Sequence, residues 1–241
     1  DVFRAVAAER GATIVEVAAA CQMARTSASS EGQEFRLKTA RAAYSARLPL
    51  AGRHQLDNAA TAIVACEELA ARCGIEITAA HVRDGLATVV WPGRIEVIKR
   101  KPLVIIDGAH NGDSAKRLAA ALKEHFALSR ATFVVGTLAG KDIEAMAAAT
   151  APMADAVFAA GWRSARAADP RDVAAAFRAY DAPVTVFGDL AQAYEAAAAQ
   201  AGERGAVVAF GAIAFAAQLR EYLLGIESDM ILLASTQGLA S

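Results

Sequence analysis

Short runs of hydrophobic residues alternate with amphipathic segments throughout the second half of the chain. The runs are four or five residues long, at Leu103–Ile106, Thr132–Val135, Ala156–Ala160, Val184–Phe187 and Ala206–Phe210. Uninterrupted runs of this length are typical of parallel strands that are buried on both faces. The segments that follow them predict helices at Ser114–Phe126, Ile143–Thr150, Arg171–Tyr180, Leu190–Gly202 and Ile213–Leu224. Five strand–helix units predict a doubly wound α/β domain from about Ile95 to Gly225.

The first 50 residues have a less regular pattern. A short helix is predicted to end at Gly11, and Thr13–Val17 predict a strand. Small polar residues at Ala24–Gln33 predict a loop, and Phe35–Tyr44 predict an irregular strand region. These elements lack the caps and regular periods of a complete domain.

Two predicted helices follow before residue 90. Apolar positions at helical spacing begin after Asp57, a candidate N-cap, and the helix is predicted to end at Gly74. Thr78 is the predicted N-cap of a second helix that extends through Leu86. The helix-breaking cluster Trp91–Arg94 then separates two predicted domains.

Charge and composition exclude several classes of function. The 241 residues include 25 basic and 26 acidic side chains, so no basic excess exists to bind nucleic acid through counterion release. The longest apolar run, Val207–Leu219, is shorter than the roughly 20 residues that span a bilayer, so no membrane partner is expected. Cys21, Cys66 and Cys73 form no C-x-x-C pair, and we expect them to be free thiols in a reducing cytoplasm.

The end of the first predicted strand of the sheet contains the strongest candidates for chemistry. Asp107 directly follows the strand, and His110 and Asn111 precede the predicted helix. A carboxylate at this position can accept hydrogen bonds from a ribose, and the helix N-terminus can bind an anion. The same residue types also satisfy backbone groups in ordinary turns, so spacing alone leaves both interpretations open.

Two further segments contain candidate binding residues. In His54–Ala60, the amides of Gln55 and Asn58 could face a base or substrate, or could simply belong to a helix start. Arg94 follows a rigid Pro-Gly turn, where a guanidinium suits bidentate binding of phosphate. An exposed arginine without a ligand is the alternative interpretation.

Other catalytic patterns are missing from the sequence. Gly136–Asp142 resembles a phosphate loop, but it is one residue short and has Asp142 where a Ser or Thr would bind magnesium. Lys141 and Asp142 remain candidates for lining a cleft at the strand ends. The four histidines have no metal-ligand spacing, so we predict no metal site in this chain.

Three segments in one order resemble the folylpolyglutamate synthase/dihydrofolate synthase family of Mur-type ligases. They are H-Q-L-D-N-A-A from His54, W-P-G-R-I-E from Trp91 and D-G-A-H-N from Asp107. The resemblance covers about Leu48–Gly225.

This resemblance implies a domain organisation. Residues 1–94 would be the truncated rear part of a central ATPase domain, and residues 95–226 a complete Rossmann-like glutamate-ligase domain, mostly parallel with helices on both faces. Residues 227–241 would be a tail. The chain begins with Asp1 rather than Met, so we expect a piece of a longer protein that lacks the N-terminal phosphate-loop lobe.

The resemblance also implies a reaction. Family members use ATP and Mg²⁺ to phosphorylate a carboxylate, and the amine of an amino acid then displaces phosphate to form an amide. In the folate branch the substrates are folate or dihydropteroate, glutamate and ATP. A cytoplasmic enzyme that is monomeric at full length is implied. The isolated chain is expected to be inactive, because the groups that bind phosphate and Mg²⁺ belong to the N-terminal lobe.

Four residues match the family's functional positions. Asn58 resembles an asparagine near the adenine, Arg94 an arginine that reaches the ATP phosphates, and Asp107 an aspartate that binds the nucleotide. His110 is the neighbour of Asp107 in the same motif. The resemblance therefore implies that Arg94 and His110 are catalytic, and that all four residues bind the nucleotide.

Two departures from the family pattern leave details of ATP contact open. Gly140-Lys141-Asp142 stands where D-K-D is usual, and Gly211–Ala214 stands where G-S-x-Y usually offers hydroxyls to the nucleotide. Two alternatives are a ligase of the cell-wall Mur or cyanophycin type, and a non-catalytic nucleotide-binding module.

Overall fold

The computed structural model of the protein describes residues 1–226, which divide into two units between Val90 and Trp91. This division lies before the predicted boundary at residue 94. The Trp91–Arg94 turn belongs to the second unit because the carbonyl oxygen of Gly93 accepts a hydrogen bond from the N–H of Gly108. No helix within residues 1–226 is long and apolar enough to cross a membrane. The predicted tail, 227–241, lies outside the described residues.

The first unit is an antiparallel three-stranded sheet with helices packed on it. The three strands lie side by side in the order in which they occur in the chain. Its core contains Phe35, Leu37 and Leu48 from the sheet together with Leu56 and Ile63 from a long helix. The elements are α1 (Val2–Arg10), α2 (Val17–Ala20), β1 (Cys21–Ser29), β2 (Gly32–Thr39), β3 (Ala43–Leu48), α3 (His54–Cys73) and α4 (Ala79–Ala87).

Two predictions for the start of this unit are wrong. The segment Thr13–Val17 contains no strand, and a short helix begins at its last residue. The predicted loop Ala24–Gln33 lies mostly in β1 and β2, which pair from Cys21↔Thr39 to Ser29↔Gly32. β1 is an edge strand that is partly exposed, so small polar residues are compatible with its pairing to β2. Such a strand lacks the apolar pattern that would identify it in the sequence.

The two helices predicted before residue 90 are confirmed, with one correction. α3 begins at His54, so Asp57 lies in its first turn and does not cap it. Gly74 ends the helix in a left-handed conformation with a φ of 65°. The side chain of Thr78 caps α4 by accepting a hydrogen bond from the N–H of His81 at 3.2 Å.

The second unit contains all five predicted strand–helix pairs. Its elements are β4 (Glu96–Arg100), β5 (Leu103–Ile106), α5 (Gly112–Phe126), β6 (Ala131–Val135), α6 (Ile143–Thr150), β7 (Ala154–Ala160), α7 (Pro170–Arg178), β8 (Val184–Phe187), α8 (Leu190–Ala201), β9 (Ala206–Phe210) and α9 (Ile213–Leu224). Alternate residues of each strand point to opposite faces, and both Val104 and Ile105 are fully buried. Helices therefore cover both faces of the sheet, with α8 and α9 packed on one of them.

The strand order, β4-β5-β9-β6-β7-β8, determines where a ligand can bind. All neighbours from β5 to β8 are parallel, and the added edge strand β4 is antiparallel to β5. The last strand, β9, lies between β5 and β6, so the carboxyl ends of these three parallel strands lie in a row. In open sheets of this kind, ligands bind beyond such ends.

The start of α9 differs from those of the other helices that follow strands in this sheet. Side chains of Asn111, Asp142, Asp169 and Asp189 cap α5 to α8. The N-cap of α9 is Ala212, which is 3% exposed and extended, and it has no side-chain oxygen for the first N–H groups. This is the structural consequence of the departure at Gly211–Ala214.

We expect Ala212→Ser to raise the free energy of unfolding by about 0.5–1.5 kcal/mol, because its hydroxyl would accept a hydrogen bond from the first turn. Urea denaturation of the 241-residue chain measures this change. Ala120→Ser is the matched control. Ala120 is exposed within α5, where the same chemical change should cost about 0.5 kcal/mol of helix propensity. A destabilising effect at both positions would contradict the capping argument.

Candidate functional site

The carboxylate of Asp107 joins the end of β5 to two neighbouring turns. Its Oδ2 accepts a hydrogen bond from the N–H of Ile95 at 2.9 Å, and its Oδ1 accepts one from the N–H of Ala109 at 2.8 Å. The residue is only 8% exposed. Burial raises the pKa of this carboxyl to about 6, against the opposing effects of the N–H donors and of the positive charge of Arg94.

Arg94 lies at the centre of a strained turn. Gly93 before it has a φ of 70°, and Ile95 after it has a φ of 50°. Positive φ is a clear outlier for a β-branched residue and costs on the order of 1–3 kcal/mol. Such a conformation persists only where the surroundings impose it. Here two hydrogen bonds hold both sides of the arginine: the N–H of Ile95 donates to Asp107, and the N–H of Gly108 donates to the carbonyl oxygen of Gly93.

Gly108 permits a close approach between the arginine and the strand end. A Cβ atom at this position would lie 2.8 Å from Nη1 of Arg94 and 2.9 Å from Cγ1 of Ile213. Arg94 is half-buried, and its guanidinium donates no hydrogen bond to any residue in the range 1–226. Its N–H donors therefore have no acceptor among these residues, and a planar fork of this kind suits phosphate oxygens.

His110 is fixed in one orientation by the backbone. Its Nδ1 lies 2.9 Å from the carbonyl oxygen of Gly108. A carbonyl only accepts hydrogen bonds, so Nδ1 is the donor and Nε2 is the ring nitrogen left for other contacts. The backbone N–H of His110 donates to Oγ of Ser114 at 3.0 Å, which fixes the main chain as well.

Asn111 and Ser114 form a reciprocal cap at the start of α5. Oδ1 of Asn111 accepts from the N–H of Ser114 at 2.8 Å, and Oγ of Ser114 accepts from the N–H of Asn111 at 3.1 Å. The turn interpretation is therefore confirmed for Asn111. Ser114 supports both Asn111 and His110, a role that sequence reasoning missed. Its position three residues after the N-cap is the signal that could have shown it.

Asn58 belongs to the other unit. It lies exposed on the first turns of α3, and its Nδ2 donates to Oε1 of the buried Gln55 at 2.9 Å. The Nε2 atoms of Gln55 and His54 lie 3.1 Å apart. Of the four predicted site residues, the structure brings Arg94, Asp107 and His110 together in the second unit. The nucleotide contact of Asn58 stays a prediction.

The loop after β6 is organised as a helix cap. Oδ1 of Asp142 accepts a hydrogen bond from the N–H of Ala145 at 2.9 Å, and Lys141 is exposed. Asp142 is thus engaged with the start of α6. Within residues 1–226, no three His, Cys, Asp or Glu side chains are grouped closely enough to hold a metal ion.

Comparison with known proteins shows what this chain is similar to. A dihydrofolate synthase/folylpolyglutamate synthase of Bacillus subtilis is 33% identical over 72% of this chain and 40% of the relative. The structure of Mycobacterium tuberculosis folylpolyglutamate synthase complexed with ADP aligns with a TM-score of 0.84 and 28% identity. That alignment covers 92% of this chain and 52% of the other.

A second solved structure aligns with this chain to a similar extent. Escherichia coli FolC in complex with DHPP and ADP aligns with a TM-score of 0.77 and 26% identity, over 93% of this chain and 51% of that chain. The chain thus spans about 40% of the curated relative and about half of each solved structure.

The sequence pattern described as the Mur ligase, glutamate ligase domain matches residues 93–213, which is half of the 241 residues. The matched region includes Arg94, Asp107 and His110. This chain belongs to the Mur ligase family, with its glutamate ligase domain in the second unit and with folylpolyglutamate and dihydrofolate synthases among its relatives.

Proposed function

We propose that the complete protein is an ATP-dependent ligase that adds glutamate to a folate, and that this chain supplies Arg94 to the phosphates of ATP. The observation that supports this role is the free guanidinium of Arg94, placed beside the end of β5 by a strained turn. Two of the related proteins, from Mycobacterium tuberculosis and Escherichia coli, have structures in complex with ADP. The folate substrate is inferred from the relatives that are dihydrofolate synthases/folylpolyglutamate synthases.

The chemistry of the proposed reaction requires charge stabilisation. ATP supplies a phosphoryl group to the folate carboxylate, and the amine of glutamate then displaces phosphate. Arg94 would neutralise negative charge that develops on the phosphoryl oxygens during transfer. His110 would present Nε2 to the same region, since its Nδ1 is engaged by Gly108. No group of three or more His, Cys, Asp or Glu side chains within residues 1–226 could hold a metal ion, so we assign no magnesium ligand to these residues.

Asp107 would contribute mainly by shaping the arginine turn. Both of its oxygens already accept backbone N–H groups, and one of these comes from Ile95, the neighbour of Arg94. A carboxylate oxygen has a second lone pair, so a ribose hydroxyl could still donate to it. The proposed nucleotide contact and the observed structural role are therefore compatible.

Folate-dependent release of phosphate is the direct test of the proposal. The complete gene product is incubated with ATP, Mg²⁺ and glutamate, with and without a reduced folate or dihydropteroate. We expect release only with the folate acceptor. Release with a UDP-linked muropeptide alone would replace folate by a cell-wall substrate, and no release with any acceptor would favour a non-catalytic module. The same assay on the 241-residue chain tests its expected inactivity.

We expect Arg94→Ala to lower kcat by at least about 100-fold, because arginines that stabilise a transferring phosphoryl group contribute on the order of 10³-fold or more. Arg94→Lys should recover only part of this loss, since an ammonium lacks the planar fork. Arg130→Ala is the matched control. Arg130 pairs with Asp155 at 2.6 Å near the amino ends of β6 and β7, and its loss should leave kcat unchanged. An unchanged kcat in Arg94→Ala would contradict the assigned role.

The raised pKa of Asp107 predicts a pH-dependent contribution to stability. An acid whose pKa is raised from 3.8 to about 6 on folding binds its proton more tightly in the folded state. Its unfavourable contribution is largest above pH 6 and is relieved as the pH falls towards 4. The free energy of unfolding of the wild type, minus that of Asp107→Asn, should rise by roughly 1 kcal/mol from pH 8 to pH 5.

Urea titrations of both 241-residue chains at each pH measure this difference, and titration of all other groups cancels in it. Asp107→Asn should also be less stable at every pH. One carboxylate oxygen is replaced by the side-chain NH₂ group, which would face a backbone N–H with no acceptor between them. A difference that shrinks on acidification would show that the carboxyl has a lowered pKa, and would contradict the prediction.

A further inference from the structure

We propose that Glu96 and Arg220 are positioning residues that fix the main chain beside Arg94 for its contact with phosphate. This inference rests on the proposed function, since it assigns how the phosphate-binding arginine is oriented. Neither residue was a candidate from the sequence.

Glu96 connects the arginine turn to the last helix of the sheet. Its Oε2 accepts a hydrogen bond from the N–H of Gly93 at 2.8 Å. From the other side, Nε of Arg220 donates to Oε1 at 2.9 Å and to Oε2 at 3.1 Å. The two side chains are only 22% and 29% exposed. The pair therefore forms a partly buried link from α9 to the residue directly before Arg94.

This link completes the set of bonds that maintain the strained conformation. The N–H of Ile95 is bound by Asp107, and the carbonyl of Gly93 is bound by Gly108. The N–H of Gly93 is the remaining main-chain group of the residue before Arg94, and it donates a hydrogen bond to Glu96. With these three groups fixed, the backbone on either side of the arginine has little freedom to rotate, so its side chain starts from a defined position.

The charges of the pair also have a specific arrangement. Glu96 is close to a proposed phosphate site, where an unpaired carboxylate would repel the ligand. Arg220 donates to both of its oxygens and so compensates that charge. A carboxylate can therefore bind the Gly93 N–H without weakening the attraction between Arg94 and phosphate.

A simple stabilising ion pair is the competing explanation, and a double-mutant cycle separates the two. If Arg220 acts through Arg94, Arg220→Ala should lower kcat about tenfold in the wild type and less than about twofold in an Arg94→Ala background. KM for ATP should change less than kcat, and Arg220→Lys should recover part of the activity. Arg130→Ala, which removes another arginine–carboxylate pair of this unit, should show no effect on kcat.

A second readout does not depend on catalysis. Amide hydrogen exchange of Gly93 in the 241-residue chain should become at least tenfold faster in Glu96→Ala and in Arg220→Ala, and stay unchanged in Arg130→Ala. Equal losses of kcat from Arg220→Ala in both backgrounds would overturn the positioning role while leaving the proposed function intact. An inactive wild type would overturn the proposed function. In that case the exchange rates alone test the positioning role, and an unchanged exchange rate of the Gly93 amide in both variants would overturn that role.

Discussion

The burial of one carboxylate, that of Asp107, is the constraint on which the geometry of the site depends. Removing a charged group from water is costly unless hydrogen bonds and opposite charge compensate it. Here the compensation comes from the N–H groups of Ile95 and Ala109 and from the charge of Arg94. The donors belong to segments on either side of β5, so the carboxylate fixes both segments relative to the strand. The strained turn at Arg94 and the start of the His110 loop are both consequences of this one arrangement.

Strands that are buried on both sides could be predicted most directly. Leu103–Ile106 and Ala206–Phe210 are uninterrupted apolar runs, and the structure places strands at the same residues. The edge strand Val184–Phe187 was predicted as well, although it is partly exposed and contains Thr185. β4 was missed because it is an edge strand in which no residue is fully buried, and it ends in the exposed residues Lys99 and Arg100. β1 was missed for a related reason, since an edge strand with small polar residues has no hydrophobic period to detect.

The candidate site could be proposed where its residues are neighbours in sequence. Asp107 and His110 became candidates because a strand, a carboxylate and a helix start follow one another directly. Arg94 was found from its turn and from the order of three motifs. Arg220 lies 124 residues after its partner Glu96, and a pair at that separation leaves no local pattern. Only the folded sheet, which places α9 beside the arginine turn, shows why Glu96 follows that turn.

The balance of charge around the turn supports Arg94 as the proposed contact for an anion. Two carboxylates and two guanidiniums lie in this small region, so it is formally neutral. Both oxygens of Asp107 accept main-chain N–H groups, and both oxygens of Glu96 accept from Arg220. Arg220 is thereby committed to an ion pair. Arg94 is attracted by Asp107 without a hydrogen bond to it, which leaves its N–H groups unsatisfied by residues 1–226. Phosphate oxygens would supply acceptors for these N–H groups. The strained turn, the partial burial of the arginine and its unpaired donors therefore all favour Arg94 as the contact for phosphate.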